Sequence, residues 1–167
     1  DTELEGELLK SILKELDIKC PVLKTTKGFH FLFKHNNMYK KIMTAAKTPI
    51  GITIDIKFGS HQGVQCLKLN GIEREILSNP NYDEIPEIPR FLYTPKPKEF
   101  KTLDIIEMVE GERNNTLSAH KFHLYKLGYN DNEIMEICSI INNYIFADPV
   151  EDEEFKTIMR DENIQKQ

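Results

Sequence analysis

His30 and Asp55 are the side chains best suited to chemistry, and each stands in a strand-like run close to lysine. In residues 29–33 the period of two puts Phe29, Phe31 and Phe33 on one face and His30 with Leu32 on the other. In residues 51–58, Ile52, Ile54, Ile56 and Phe58 face one way, while Thr53, Asp55 and Lys57 face the other. If the two strands share a sheet, His30, Thr53, Asp55 and Lys57 project onto one solvent-facing surface beside the Lys27-Gly28 turn. A carboxylate offers the hard oxygen that suits Mg2+ or Mn2+. A histidine donor among lysines suits the phosphates of a bound nucleotide. A single carboxylate does not hold a catalytic metal pair, which takes two or three. The competing reading is an exposed sheet face with ordinary polar residues, Lys57 among them as a strand-edge solubility lysine.

The elements that must position these residues are legible from periodicity. Residues 2–16 form an amphipathic helix, with Leu4, Leu8, Ile12 and Leu16 every four residues and Leu9 and Leu13 widening the stripe. A strand over 22–25, the Thr26-Lys27-Gly28 turn and the strand over 29–33 make a hairpin. Asn36 or Asn37 caps a short helix running to about Ala46. After the 51–58 strand, Asn70-Gly71 joins a run over 64–69 to one over 72–77, the strongest short hairpin signal. Residues 1–77 therefore read as an α+β core with an antiparallel sheet of four or five strands and flanking helices. Residues 78–102 carry five prolines and read as a linker crossing a surface, pinned by Ile88, Phe91, Leu92 and Tyr93. Residues 103–167 read as a small all-α bundle. Its helices are one over 116–127 closed by Gly128, one opening at an Asn130/Asp131 cap and reaching Ile145, and one beginning at Asp148-Pro149.

The chain has 167 residues, 40% hydrophobic and 29% charged, enough for one domain or one with a small satellite. No apolar run approaches the ~18 residues of a membrane span and no signal segment opens the chain, so a cytoplasmic protein is expected, with no membrane partner. Cys20, Cys66 and Cys138 form neither a CxxC nor a Cys/His finger and read as small apolar residues in a reducing compartment. The net charge of −5 is unevenly spread, at +2 over residues 1–100 and −7 over residues 101–167. Between Ile18 and Ile72 there are nine lysines and one carboxylate, Asp55. Such a field attracts phosphate, although a solvated lysine-rich face accounts for it equally well. The other histidines read as ordinary: His35 in a loop, His120 and His123 three apart in a helix, and His61 as a minor candidate near the end of the Asp55 strand.

Residues 25–33, Thr-Thr-Lys-Gly-Phe-His-Phe-Leu-Phe, resemble the T-x-x-G-x-H-h-x-F second motif of the archaeo-eukaryotic primase superfamily, the phage and plasmid primase-polymerases. Ile54-Asp55-Ile56-Lys57 resembles the third motif, h-D-h-K, in the same order and at a fitting separation. Farther on, Glu110 to Leu117, Ile141-Asn142, Asp148-Pro149-Val150 and Glu153-Glu154-Phe155 are similar to the helical primase C-terminal domain. Together these stretches cover nearly the whole chain.

The resemblance implies a primase or RRM-like catalytic core in a phage, plasmid or viral replication protein, acting in a bacterial host cell or at a viral replication site. The activity implied is DNA primase/polymerase nucleotidyl transfer on a DNA template and primer with nucleoside triphosphates and Mg2+ or Mn2+. Asp55 would be a metal ligand; His30, Lys27, Gly28 and Lys57 would form the nucleotide pocket, and His30 and Lys57 would stand with Asp55 in the catalytic set. A helicase domain would follow downstream. The departure is at the front, where the family has a strand with two acids and this sequence starts Asp1-Thr2-Glu3. The resemblance implies either that the missing metal-ligand pair lies just upstream or that Asp1 is its last remnant, and the chain by itself is expected to be incomplete as an enzyme. Arg113, Asn114 and Asn115 are expected to cap and orient the helices. Two other classes fit the same residues: a non-catalytic nucleic-acid-binding module, and an adaptor whose acidic half docks a replication protein.

Overall fold

The computed structural model describes residues 3–36, 42–58, 67–94 and 111–160. Among these residues the fold is mixed α+β, with small antiparallel sheets and four α-helices. Helix α1 spans Glu3–Glu15 and buries Leu9, Ile12 and Leu13 from its apolar stripe. It ends where Asp17 takes a left-handed conformation (φ 51°), which lets Ile18 N–H reach back to the Leu13 carbonyl at 2.8 Å. Strands β1 (Val22–Lys24) and β2 (Phe29–Phe31) then pair as the expected hairpin, Leu23 opposite His30, with Thr25 N–H donating to the Gly28 carbonyl across the turn.

The single four- or five-stranded sheet expected for residues 1–77 is not what forms. The described residues of this part form three sheets, β2-β1-β7, β3-β4 and β5-β6. Here β3 is Met43–Lys47, β4 Thr53–Ile56, β5 Lys68–Leu69, β6 Ile72–Glu73 and β7 Ile76–Ser78. The helix expected to reach Ala46 is also corrected, since residues 43–47 are strand; residues 37–41 lie outside the described residues. Helix propensity at Ala45 and Ala46 yields to pairing with β4, because that pairing buries Ala46 fully beside Ile56. The ladder has an irregularity between Met43 and Ala46, where Ala45 stands at φ 49°. Asn70 and Gly71 take φ 51° and 81°, the two left-handed residues a tight hairpin turn requires, and join β5 to β6. The 51–58 strand is shorter than expected, and residues 64–66 of the next run are not described.

Between β7 and the helices, the proline-rich stretch makes two 3-10 turns, Tyr82–Glu84 and Arg90–Leu92. Phe91 and Leu92 are buried there, and Ile88 and Tyr93 pack against core residues, as their apolar character led one to expect. Helix α2 is Arg113–Lys126, and Gly128 follows it at φ 83°. Helix α3 is Asp131–Ile140, opened by a reciprocal cap in which Asn130 Oδ1 accepts Glu133 N–H and Glu133 Oε2 accepts Asn130 N–H, both at 3.0 Å. It widens into a π-turn over Ile141–Ile145. Helix α4 is Asp152–Met159, a few residues later than the Asp148-Pro149 start expected. The start of α2 is tied to the segment before α4 by Arg113 ion-paired with Asp148, and to α4 itself by Asn114 bonded to Glu154. Asn142 is buried and uses its amide like a strand partner, bonding Val150 at 3.0 and 2.7 Å.

One buried cluster joins both halves of the chain. It includes Ile12 of α1, Val22 of β1, Ile50, Ile52, Phe91, Leu117 and Leu124 of α2, Ile137 of α3 and Met159 of α4. Tyr129 Oη donates to the Tyr93 carbonyl at 2.7 Å, and Arg90 pairs with Glu133 at 2.8 Å. No helix among the described residues is long and apolar enough to cross a membrane.

Candidate nucleotide cleft

The two segments carrying His30 and Asp55 belong to different sheets and face each other across a cleft of about 540 Å3. Two contacts fix how they lie. At one end Glu5 of α1 accepts the Thr53 N–H at 3.1 Å, and Gly6 abuts the Phe29 ring, so the starts of β2 and β4 meet at the same helix. Past the other end His35 stacks on Phe58, ring centroids 5.0 Å apart and planes inclined by 13°. The two strands therefore run side by side in the same direction. Gly6 is what permits the first contact: a Cβ there would fall 2.5 Å from Phe29 Cδ2.

Lys27, Gly28, His30, Asp55 and Lys57 all line this cleft. Sharing one sheet was the wrong geometry for bringing them together; a gap between two sheets does it instead. Gly28 is buried in the turn, Lys27 and Lys57 are exposed, and His30 is half-buried. Lys27 N–H is turned toward Thr25 Oγ1 at 3.3 Å, a side-chain turn that holds the tip of the hairpin. Asp55 is exposed, and its Oδ1 accepts the Ala45 N–H at 2.9 Å. That bond satisfies the backbone at the irregular point of β3, so Asp55 has a structural duty besides any ligand. Asp1 and His61 lie outside the described residues.

Two residues that sequence reasoning passed over also line the cleft, His35 and Arg74. His35 looked like an ordinary loop residue, because its stacking partner Phe58 is more than twenty positions away. Arg74 had one signal: it is the only arginine among the first 89 residues, where eleven lysines carry the remaining positive charge. Among the described residues the cleft is lined by four cations, Lys27, Lys34, Lys57 and Arg74, against two carboxylates, Glu5 and Asp55. Lys34 is drawn aside over the Tyr82 ring, 4.7 Å from its centroid. The cleft is thus basic, with Phe29, Phe31, Phe33 and Phe58 in its lining, and of the size of a small-molecule pocket.

Among the described residues no three His, Cys, Asp or Glu side chains come together as a metal-holding group. Asp55 offers one carboxylate with one oxygen already engaged. That fits a single Mg2+ or Mn2+ that shares its remaining ligands with phosphates and water, and does not fit a pair. His120 and His123, three apart on α2, do not join the cleft: the buried His120 Nε2–H donates to the Pro49 carbonyl at 2.7 Å. Comparison with protein-family models, with curated proteins and with solved structures gave no match to this chain.

Proposed function

We propose that the cleft binds a nucleoside triphosphate and that the chain is part of a DNA primase/polymerase, a nucleotidyltransferase with a primase-type core. The observation that supports this most is the convergence of the two motif-like segments, Lys27-Gly28 with His30 and Asp55 with Lys57, on one basic cleft. In this reading His30 donates to a phosphate oxygen, and Lys27 and Lys57 offset the charge of the triphosphate. The stacked His35–Phe58 pair gives the base a flat apolar surface at the far end. Asp55 would hold a divalent ion, Mg2+ or Mn2+, which when bound supplies charge neutralisation at the phosphates. Template-directed transfer to a primer 3′-hydroxyl needs further carboxylates from beyond the described residues, and the DNA template, primer and a downstream helicase domain belong to the same proposal.

The second reading is a non-catalytic nucleic-acid-binding or replication-partner-docking module. What favours it is the bond from Asp55 to the Ala45 N–H, which gives the carboxylate a purely structural use. Asp55→Asn separates the two, since an amide oxygen still accepts from Ala45 while the charge is lost. Under the nucleotidyltransferase reading, Asp55→Asn melts with the wild type, loses Mn2+-dependent nucleotide binding at least about tenfold, and keeps its affinity for single-stranded DNA. Nucleotide binding that is unchanged in Asp55→Asn removes the catalytic assignment. Binding of DNA alone, with strong salt dependence and no response to Mn2+, supports the module.

A further inference from the structure

Arg74 and Lys34 are the described cleft cations outside both motif-like segments, and Lys34 is held over the Tyr82 ring. The Arg74 backbone is pinned between β6 and β7. Its own N–H donates to the Leu67 carbonyl at 2.8 Å, and the next carbonyl, that of Glu75, accepts Lys24 N–H at 2.9 Å. These bonds set it beside the end of β1 that leads into the Thr26-Lys27-Gly28 turn. Its Nε and Nη1 are closed off from solvent and have no hydrogen-bond partner among the described residues. A guanidinium keeps its charge under all conditions in which a protein folds, so the unmet donors are not relieved by deprotonation. Burying charged donors without acceptors is among the costliest arrangements a fold contains.

The other arginines near the core are handled differently. Arg90 pairs with Glu133 and Arg113 with Asp148. The two carboxylates of the cleft are engaged with backbone, Glu5 with Thr53 N–H and Asp55 with Ala45 N–H. Arg74 therefore lines a cleft with Lys27, His30 and Lys57, and its Nε and Nη1 donors are unmet. We propose that Arg74 is an anion-binding residue of the cleft, its covered side chain turning into the cleft to donate its N–H groups to the oxygens of a polyphosphate. Free polyphosphate and the triphosphate of a nucleotide share this chemistry, and the assignment rests on the nucleotide reading only for the owner of the phosphates.

The test titrates sodium tripolyphosphate and, separately, ATP into the full 167-residue chain as wild type, Arg74→Gln and Arg74→Lys, with each Tm measured without ligand. Arg74→Gln is expected to melt at or above the wild-type temperature, because an unmet charge has been removed, and to bind tripolyphosphate at least about tenfold more weakly. Arg74→Lys keeps the charge without the planar fork and falls between the two. Equal tripolyphosphate affinity in Arg74→Gln and wild type overturns the proposal, as does a wild type that binds neither probe. A marked loss of Tm in both variants makes Arg74 a structural residue and overturns it as well. Tripolyphosphate binding that depends on Arg74, with ATP bound no tighter, upholds the anion site and removes the nucleotide reading. ATP binding that is insensitive to Arg74→Gln does the reverse.

Discussion

His120 shows how one buried titratable group ties stability to pH. Burial pushes its pKa down to about 4, with the Pro49 carbonyl opposing that shift and nearby His123 adding to it. In the unfolded chain the imidazole titrates near its ordinary 6.5, so above that pH both states are neutral and the contribution is complete. As pH falls from 6.5 toward 4 the unfolded chain takes up a proton the folded chain refuses, and stability drops. The whole effect is about 3 kcal/mol, reached near pH 4. His120→Gln keeps a donor for Pro49 without titrating, and is expected to flatten the part of the stability profile between pH 6.5 and 5. Denaturant melts across that window measure it; a slope equal to that of the wild type would mean that His120 does not carry the acid sensitivity. The thiols of Cys20 and Cys138 are pushed by burial up to about 11 and about 12, so both stay protonated and act as small apolar side chains.

At the scale of elements, the cleft depends on how closely α1 approaches β2. Replacing an interior helical glycine with alanine ordinarily stabilises by about 1 kcal/mol. At Gly6 the added methyl meets the Phe29 ring, which Lys24 also covers at 4.3 Å from its centroid, so the ring has to shift. Gly6→Ala is expected to lose that gain and destabilise by roughly 1–3 kcal/mol, and under the proposed nucleotide reading to bind nucleotide more weakly as Phe29 moves. Thermal melts and a nucleotide titration check both parts, and a variant more stable than wild type would show that the approach is loose. The helical half is held by polar contacts as well as by apolar ones. Lys121 is buried and its Nζ donates to the Ile158 and Arg160 carbonyls at 3.1 and 2.7 Å, meeting the C-terminal end of α4 where a positive charge is favoured.

For the molecule as a whole, the shared core makes the α+β part and the helices dependent on each other. Phe91, fully buried, comes from the proline-rich stretch between them, and Ile12, Leu117 and Ile137 meet in the same cluster. The chain is therefore expected to unfold in one cooperative transition, with helix content by far-UV circular dichroism and tyrosine packing by near-UV circular dichroism lost together. Two separated transitions would mean that the helices form a core of their own. A stretch of five prolines looked like a connector in the sequence, because proline marks where regular structure stops without saying whether the chain is buried.

Local pattern determined much of this protein. The Leu and Ile stripe of α1, the Thr26-Lys27-Gly28 hairpin, the Asn70-Gly71 turn, the Asn130 cap and the alternation around Asp55 are readable because each is set by residues a few positions apart. The residue types that converge on the cleft, His30 and Asp55 with their lysines, were legible for the same reason. Tertiary structure decided the rest. Ala45 and Ala46 became strand because β4 supplied a partner, and the expected single sheet became three because pairing is chosen between distant segments. The places of Arg74 and His35 in the cleft depend on which elements pack together, and no local spacing encodes that. Side-chain period is written into a short stretch of chain, whereas the partner across a gap is settled only when the whole core closes.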